Sequence, residues 1–384
     1  MKNILIVTSS RSEYGLLANL IKGISESKKL NLHIVVTGSH LSFKHGKTLS
    51  ELLENDVHID KKFFLDYTLD TNLVISKNIS KIVNQLTRFF TNKKIDLMLV
   101  LGDRYEIFAA TIAALFSKVK IAHLHGGERS EGSIDDLLRH SITKMSNLHF
   151  VATNEYRKRV IQLGENPQSV FKVGALCNDN INNLKIINKT TLEKKLGFKF
   201  KEKNILISIH PETKNIKAMN RKLENFFSAI KSFKDTGMIF THPSSDEGNF
   251  MIIRKIQKFI SKNSNSKSFK SLGFKKYLSC LSYCSGLVGN SSSGIIEAPL
   301  MKKGSINVGS RQFGRQLSKS VINCEFTKKD IKNSLIKLFS KQFKKKLLKV
   351  KSPYYGINVA DKIVRVLENV NLSKVGNKKF YDLK

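Results

Sequence analysis

Short, almost wholly apolar segments recur along this chain, and each is followed by a run with helical spacing. Ile4 to Thr8 precedes Leu16 to Ile24, Leu32 to Thr37 follows, and Ile95 to Leu101 precedes Tyr105 to Phe116. Ile121 to Leu124 leads to a helix over Asp135 to Met145, and Leu148 to Ala152 leads to another. A strand apolar on both faces must be covered on both, as in a parallel sheet wrapped by its own crossover helices. The rhythm restarts with Ile205 to Ile209, Met238 to Phe240, Phe269 to Leu272, Gly286 to Val288 and Ser305 to Val308. At 384 residues the chain is long for one core. The pattern therefore predicts an α/β protein of two Rossmann-like doubly wound domains, residues 1–175 and 176–365, with a tail over 366–384. The polar, basic stretch Lys194 to Lys203 has the composition of an interdomain connection.

The formal net charge is +35, but Lys supplies 54 of the 66 basic residues and is scattered among Asn and Ile. That is the pattern of solvated lysines, and no nucleic-acid partner is expected. One denser run, Lys328 to Lys351, has the spacing of a basic amphipathic helix whose stripe of Ile331, Leu335, Leu338 and Phe339 would touch an anionic surface. No apolar run approaches the roughly 20 residues that span a bilayer. The N-terminus enters a strand directly, without the apolar region and cleavage site of a signal peptide. A cytoplasmic protein with no stable membrane insertion is expected. Cys177, Cys280, Cys284 and Cys324 form no Cys-x-x-Cys pair and read as buried free thiols, with Cys280 and Cys284 one helical turn apart.

In open parallel sheets ligands bind beyond the carboxyl ends of the strands, so the residues just after each strand are the candidates. The stretch His123 to His140 is the densest such segment, with imidazoles, carboxylates and arginines around Gly126 and Gly127. So many polar groups that are costly to bury, gathered at one strand end, point to a reaction centre. A helix cap would account for Ser133, Asp135 and Asp136, but not for the two glycines beside His125 and Glu128. Other strand ends carry Arg11, Asp103 with Arg104, His210-Pro211, His242-Pro243-Ser244, and Arg311. Each proline biases the preceding histidine to extended geometry at the strand mouth.

Gly289 to Gly294 follows a buried strand and precedes the helical run Ile295 to Leu300, so its amides would face outward as an anion site fit for a pyrophosphate. It lacks the Walker ending and the nicotinamide-type glycine spacing. Glu297, inside that helix, would accept from ribose hydroxyls, and Arg311 and Arg11 would neutralise phosphates. Opposite stand Asp103, Glu128, Glu131, Asp135 and Asp136, with His125 and His210, as acids and bases for chemistry on a sugar. His123 and His125 alternate by two and would share a strand face, with Asp103 or Asp135 completing a metal site. A clear third ligand motif is lacking, so no metal is expected.

The chain resembles the hydrolysing UDP-N-acetylglucosamine 2-epimerases of bacterial sialic acid synthesis over nearly its whole length. The resemblance rests on Arg11 to Gly15, Leu101 to Glu106, His123 to Ser146, Arg159 to Glu165, Gly289 to Gly294 and Arg311-Gln312. It implies a GT-B-like fold with two lobes facing a central cleft, a homodimer or homotetramer, a UDP-sugar substrate, no cofactor and no metal. It further implies loss of the C2 proton as UDP leaves C1, a 2-acetamidoglucal intermediate, and addition of water with inversion at C2, giving N-acetylmannosamine for a surface polysaccharide. Asp103 and Asp135 match the family's catalytic acids. His125 stands where many relatives carry Glu in a His-x-Glu-Gly-Gly-Glu pattern, leaving that role to His125 or Glu128. Arg11, Arg104, His210, Ser291, Ser292, Glu297 and Arg311 match UDP contacts, and Ser244 stands where some relatives have Asn. Rival readings are a sister epimerase acting on UDP-N,N'-diacetylbacillosamine, a GT-B glycosyltransferase, and a non-enzymatic polyanion binder.

Overall fold

The computed structural model describes residues 1–42, 57–67, 71–131, 134–212, 216–243, 248–376 and 378–383, leaving out the side chains of residues 11, 12, 216 and 217. The first sheet holds β1 (Lys2–Thr8), β2 (Leu30–Thr37), β3 (Lys61–Phe63), β4 (Leu97–Leu101), β5 (Lys120–Leu124), β6 (Leu148–Val151) and β7 (Val170–Lys172), ordered β3-β2-β1-β4-β5-β6-β7. The second holds β8 (Lys203–Ser208), β9 (Thr236–Thr241), β10 (Ser266–Phe269), β11 (Gly286–Gly289), β12 (Gly304–Val308) and β13 (Val321–Cys324), ordered β10-β9-β8-β11-β12-β13. Every described pairing is parallel. Each order steps outward from its first strand and then switches to that strand's other side, the doubly wound arrangement whose switch point sits beside β1 and β8.

Alternation along the central strands splits the interior in two. Ile4 and Ile6 of β1 join one cluster with Leu17, Leu20 and Ile24, while Leu5 and Val7 join another with Ile107 and Ala110. The second sheet repeats this with Ile205 and Ile207 on one face and Leu206 on the other. Central strands therefore carry apolar residues on both faces and are legible in the sequence. The edges are different. β3, β7 and β13 are absent from the predicted strands, and the strand expected at Phe269 to Leu272 lies instead at Ser266–Phe269. All four are edge strands, short and partly polar, because an edge is covered less completely.

The chain divides into two compact units. One comprises Met1–Glu128, Asp135–Asn180 and Gly356–Lys384, and the other Arg129–Ile134 and Ile181–Tyr355. The Lys194 to Lys203 stretch is not the connection expected. It runs inside the second unit, from the end of the helix Lys189–Leu196 through a left-handed Gly197 to β8. The C-terminal residues group with the first unit because the helix Val359–Asn369 lays Val359, Ile363 and Leu367 on the β1 core. Asp179 accepts the Val359 and Ala360 amides at 2.9 and 2.7 Å, satisfying donors that open the helix. Lys2 Nζ donates to the carbonyls of Leu367, Glu368 and Val370 at its far end, where a cation is favoured.

The basic run Lys328 to Lys351 forms two helices, Lys328–Phe339 and Lys341–Leu348, joined at Ser340. Its apolar stripe is core: Ile331, Leu335 and Leu338 are buried within the second unit, which corrects the expectation that these residues meet an external surface. The four cysteines are free, with Cys177, Cys280 and Cys284 buried and Cys324 only half-buried.

Candidate active site

At the carboxyl ends of β4 and β5 the first unit gathers a polar cluster. β5 runs into His125, which takes a left-handed φ of +63°, and Gly127 follows at +75°. A Cβ on Gly127 would sit 2.6 Å from the Tyr156 carbonyl oxygen, and one on Gly126 would sit 2.9 Å from Thr143 Oγ1. The glycines are thus required by close approach of this turn to the helices behind it. The turn aims His125 at Glu128: Nδ1 and Oε1 are 2.9 Å apart, while the Leu176 amide donates to Nε2 at 3.3 Å. With Nε2 accepting, Nδ1 carries the proton and donates it to the carboxylate.

Arg139, on the helix Asp135–Met145, ties this turn to β4. It is only 2% exposed, pairs with the Asp103 carboxylate, donates from Nη1 to the Glu128 carbonyl at 3.0 Å and lies 3.6 Å from Asp136. A buried guanidinium with several acceptors fixes their relative positions. Asp135, half-buried, opens the same helix, where a carboxylate is favoured by the helix dipole.

His123 is buried below the turn, its Nε2 donating to the Gly102 carbonyl at 2.8 Å and its Nδ1 3.0 Å from Thr143 Oγ1. Burial pushes its pKa down to about 3, so the ring is neutral and its contacts hold the backbone next to Asp103. The positive φ at His125 breaks strand alternation, so the shared face proposed for His123 and His125 does not form. Among the described residues no group of three metal-ligating side chains occurs.

Arg104 turns away from this cluster. Its Nε and Nη2 fork onto Glu106 at 3.1 Å each, and it lies 3.8 Å from Glu13. Glu13 accepts from the Ser9 amide at 2.7 Å and the Ser9 hydroxyl at 2.8 Å. Burial pushes the Glu13 pKa up to about 7, with Arg104 acting in the opposite direction. A carboxyl whose folded pKa exceeds its unfolded value stabilises the fold most below the unfolded pKa. Here that contribution is lost between pH 4.5 and about 7. Glu13→Gln, which mimics the protonated acid, should therefore match the parent near pH 4.5, exceed it progressively up to pH 7 and hold a constant margin above. Urea unfolding at a series of pH values tests this, and a margin independent of pH would refute it.

In the second unit Asn290 is the hub. Fully buried, it accepts the His210 amide on Oδ1 at 2.7 Å, donates from Nδ2 to the His210 carbonyl at 2.9 Å, and offers its carbonyl to Gln312 Nε2 at 2.9 Å and Arg311 Nη1 at 3.4 Å. Three strand ends are thereby joined: those of β8, β11 and β12. Gly289 makes the turn possible, with φ +140° and an added Cβ only 2.0 Å from the Ser208 oxygen. His210 Nε2 lies 3.3 Å from Ser208 Oγ. His242 sits at the end of β9, its Nε2 buried without a hydrogen-bond partner among the described residues and its pKa lowered by burial and by Lys270.

The helix expected over Ile295 to Leu300 begins differently. A 3-10 turn, Ser292–Gly294, comes first, with the Ser291 side chain accepting from the Ser293 amide, and Glu297 opens a four-residue helix ending at Leu300. Ser305 Oγ donates to the Gly294 carbonyl at the end of this turn at 2.5 Å, anchoring the loop to β12. Ser244 and the Arg11 side chain lie outside the described residues.

Asp103, His125 and Glu128 are thus brought together through Arg139, and His210 and Arg311 through Asn290. Neither connecting residue is marked for this role by its place after a strand. For Arg139 a signal existed, since Asp136, Arg139 and His140 have the i, i+3 and i, i+4 spacing of ion pairs on one helix.

Known proteins are similar to this chain in sequence and in fold. The chain is 38% identical to the GDP/UDP-N,N'-diacetylbacillosamine 2-epimerase (hydrolyzing) of Campylobacter jejuni, covering 100% of this chain and 99% of that one. It is 37% identical to polysialic acid biosynthesis protein P7 of Escherichia coli, covering 100% and 98%. Its fold matches that of S. aureus MnaA in a co-structure with UDP, with a TM-score of 0.80 and 20% identity over 100% of both chains. With residues 22–368 matching that family as a whole, the chain belongs to the UDP-N-acetylglucosamine 2-epimerase family and is a hydrolysing 2-epimerase with two parallel-sheet α/β domains.

Proposed function

We propose that this enzyme converts UDP-N-acetylglucosamine and water to N-acetylmannosamine and UDP, opening sialic acid synthesis for a surface polysaccharide. The observation that carries this reading is the Asp103, Arg139, Glu128 and His125 cluster at the ends of β4 and β5, in a chain of this family. No carbonyl adjoins C2 to acidify its proton, so departure of the diphosphate from C1 must lead and the ring gains cationic character. The C1–O bond breaks, the C2–H bond gives its electrons to a new C1–C2 double bond, and a carboxylate takes the proton. Water then adds its oxygen to C1, and a proton is delivered to C2 on the opposite face.

Asp103, oriented by Arg139, and Asp135 move these protons, and the ion-paired acids stabilise the cationic ring. His125 stands in for the Glu common in relatives, and Glu128 keeps its proton on Nδ1. Arg11, Arg104 and Arg311, with Ser291 and Ser292, receive the departing diphosphate. Glu297 accepts from the ribose, and His210, His242 and Ser244 complete the nucleotide contacts.

A second substrate, UDP-N,N'-diacetylbacillosamine, is favoured by one observation, the 38% identity over the whole chain to the GDP/UDP-N,N'-diacetylbacillosamine 2-epimerase (hydrolyzing) of C. jejuni. Incubation with each sugar nucleotide, followed by NMR of the released sugar and assay of UDP, decides between them. Free N-acetylmannosamine with equimolar UDP is the expected result. Consumption of the diacetamido sugar alone would select the second reading, and consumption of neither would overturn both.

A further inference from the structure

We propose that the lysine-bearing outer face of the helices Lys328–Phe339 and Lys341–Leu348 is a docking surface for an anionic lipid bilayer, which the enzyme contacts reversibly. Residues 328–351 carry ten lysines and one carboxylate, so 9 of the 35 net charges fall within 24 of 384 residues, a density about five times that of the remainder. This local excess is separate from the lysine bias of the whole chain. Nine of the ten lysines are exposed, all but Lys332. The one acid, Asp330, accepts a 2.7 Å hydrogen bond from Thr327 Oγ1 at the start of its helix.

The core-facing stripe is already occupied, so the outer face is what this segment offers to a partner. Among the lysines each helix exposes one large aliphatic side chain, Ile336 at 62% on the first and Leu348 at 75% on the second. Lysines around exposed aliphatics suit a headgroup layer, where charge draws the helix to anionic lipid and the apolar tips enter the acyl boundary. Nucleic acid is a poorer match: the segment has no arginine, and its two phenylalanines are withdrawn from solvent, Phe343 buried and Phe339 half-buried. Among the described residues no helix is long and apolar enough to cross a membrane, so the contact is peripheral. None of the residues assigned to the reaction lies on these two helices.

The test is co-sedimentation of the full chain with phosphatidylcholine vesicles containing about one-third phosphatidylglycerol, at about 0.15 M salt, where surface charges act over roughly 8 Å. Binding to these vesicles and not to pure phosphatidylcholine is expected. Lys341→Gln, Lys344→Gln, Lys345→Gln and Lys349→Gln together should weaken it about tenfold or more, and Leu348→Ser should weaken it independently, with UDP release unchanged in both. Should the quadruple variant fail to fold, Leu348→Ser and a salt titration of the parent carry the test. Failure to bind, equal binding to uncharged vesicles, indifference to these substitutions, or tighter binding to duplex DNA under the same salt would each overturn the proposal.

Discussion

Asp103→Asn is expected to cut turnover of the UDP-sugar by roughly a thousandfold, the usual scale for losing a positioned proton-transfer group. It should do so without unfolding the protein. Asparagine keeps an acceptor for Arg139, whose charge still faces Asp136 at 3.6 Å and whose Nη1 still reaches the Glu128 carbonyl at 3.0 Å. Asp135→Asn should behave alike, and the double variant should lose far less than the product of the two effects, because groups acting as one unit are not additive. UDP release and urea unfolding, measured on the same preparations, separate chemistry from folding. Normal rates in both single variants would remove these carboxylates from the mechanism.

Gly289→Ala should destabilise the fold by about 3 kcal/mol or more, combining strain at a φ that L-residues avoid with a main-chain collision. The added methyl would lie 2.0 Å from the Ser208 oxygen and 2.7 Å from its carbonyl carbon. Neither strand can yield easily. Gly289 pairs with Ser208 in the sheet, and the Asn290 amide donates to the same oxygen at 3.2 Å. Because Asn290 also holds His210, Arg311 and Gln312, the backbone shift should weaken UDP binding as well. Calorimetric titration of UDP beside a denaturant curve measures both. An alanine variant of parent-like stability would mean that the β8 and β11 strand ends do not meet as described.

The central strands and the polar residues beyond their ends were legible because a doubly wound sheet demands apolar strands and leaves function to their carboxyl mouths. The same logic hides the edges. β10 has only Phe269 to mark it and its outer residues are half-exposed, so the apolar Leu272 drew the expected strand three residues too far. Individual site residues were legible as types, but their couplings were not. That Arg139 would reach Asp103, or Asn290 the His210 backbone, depends on contacts 36 and 80 residues apart that no local spacing encodes. Arg104 shows the converse. Its fork onto Glu106, only two residues on, is a coupling within reach of local spacing.

The departure of the chain from the first unit at Asn180 and its return at Gly356 bear on biogenesis. When the ribosome has made the first 180 residues, the face of β1 carrying Ile4 and the helix face carrying Leu17 and Leu20 still lack the helix Val359–Asn369 that belongs against them. The intervening unit is nearly continuous in sequence and can close first, while the earlier-made sheet waits, partly uncovered, for the final thirty or so residues. A nonsense mutation near residue 350 would then deprive the opposite end of the polypeptide of its cover, and such a truncated product should be cleared by proteases even though its whole reaction centre had been translated.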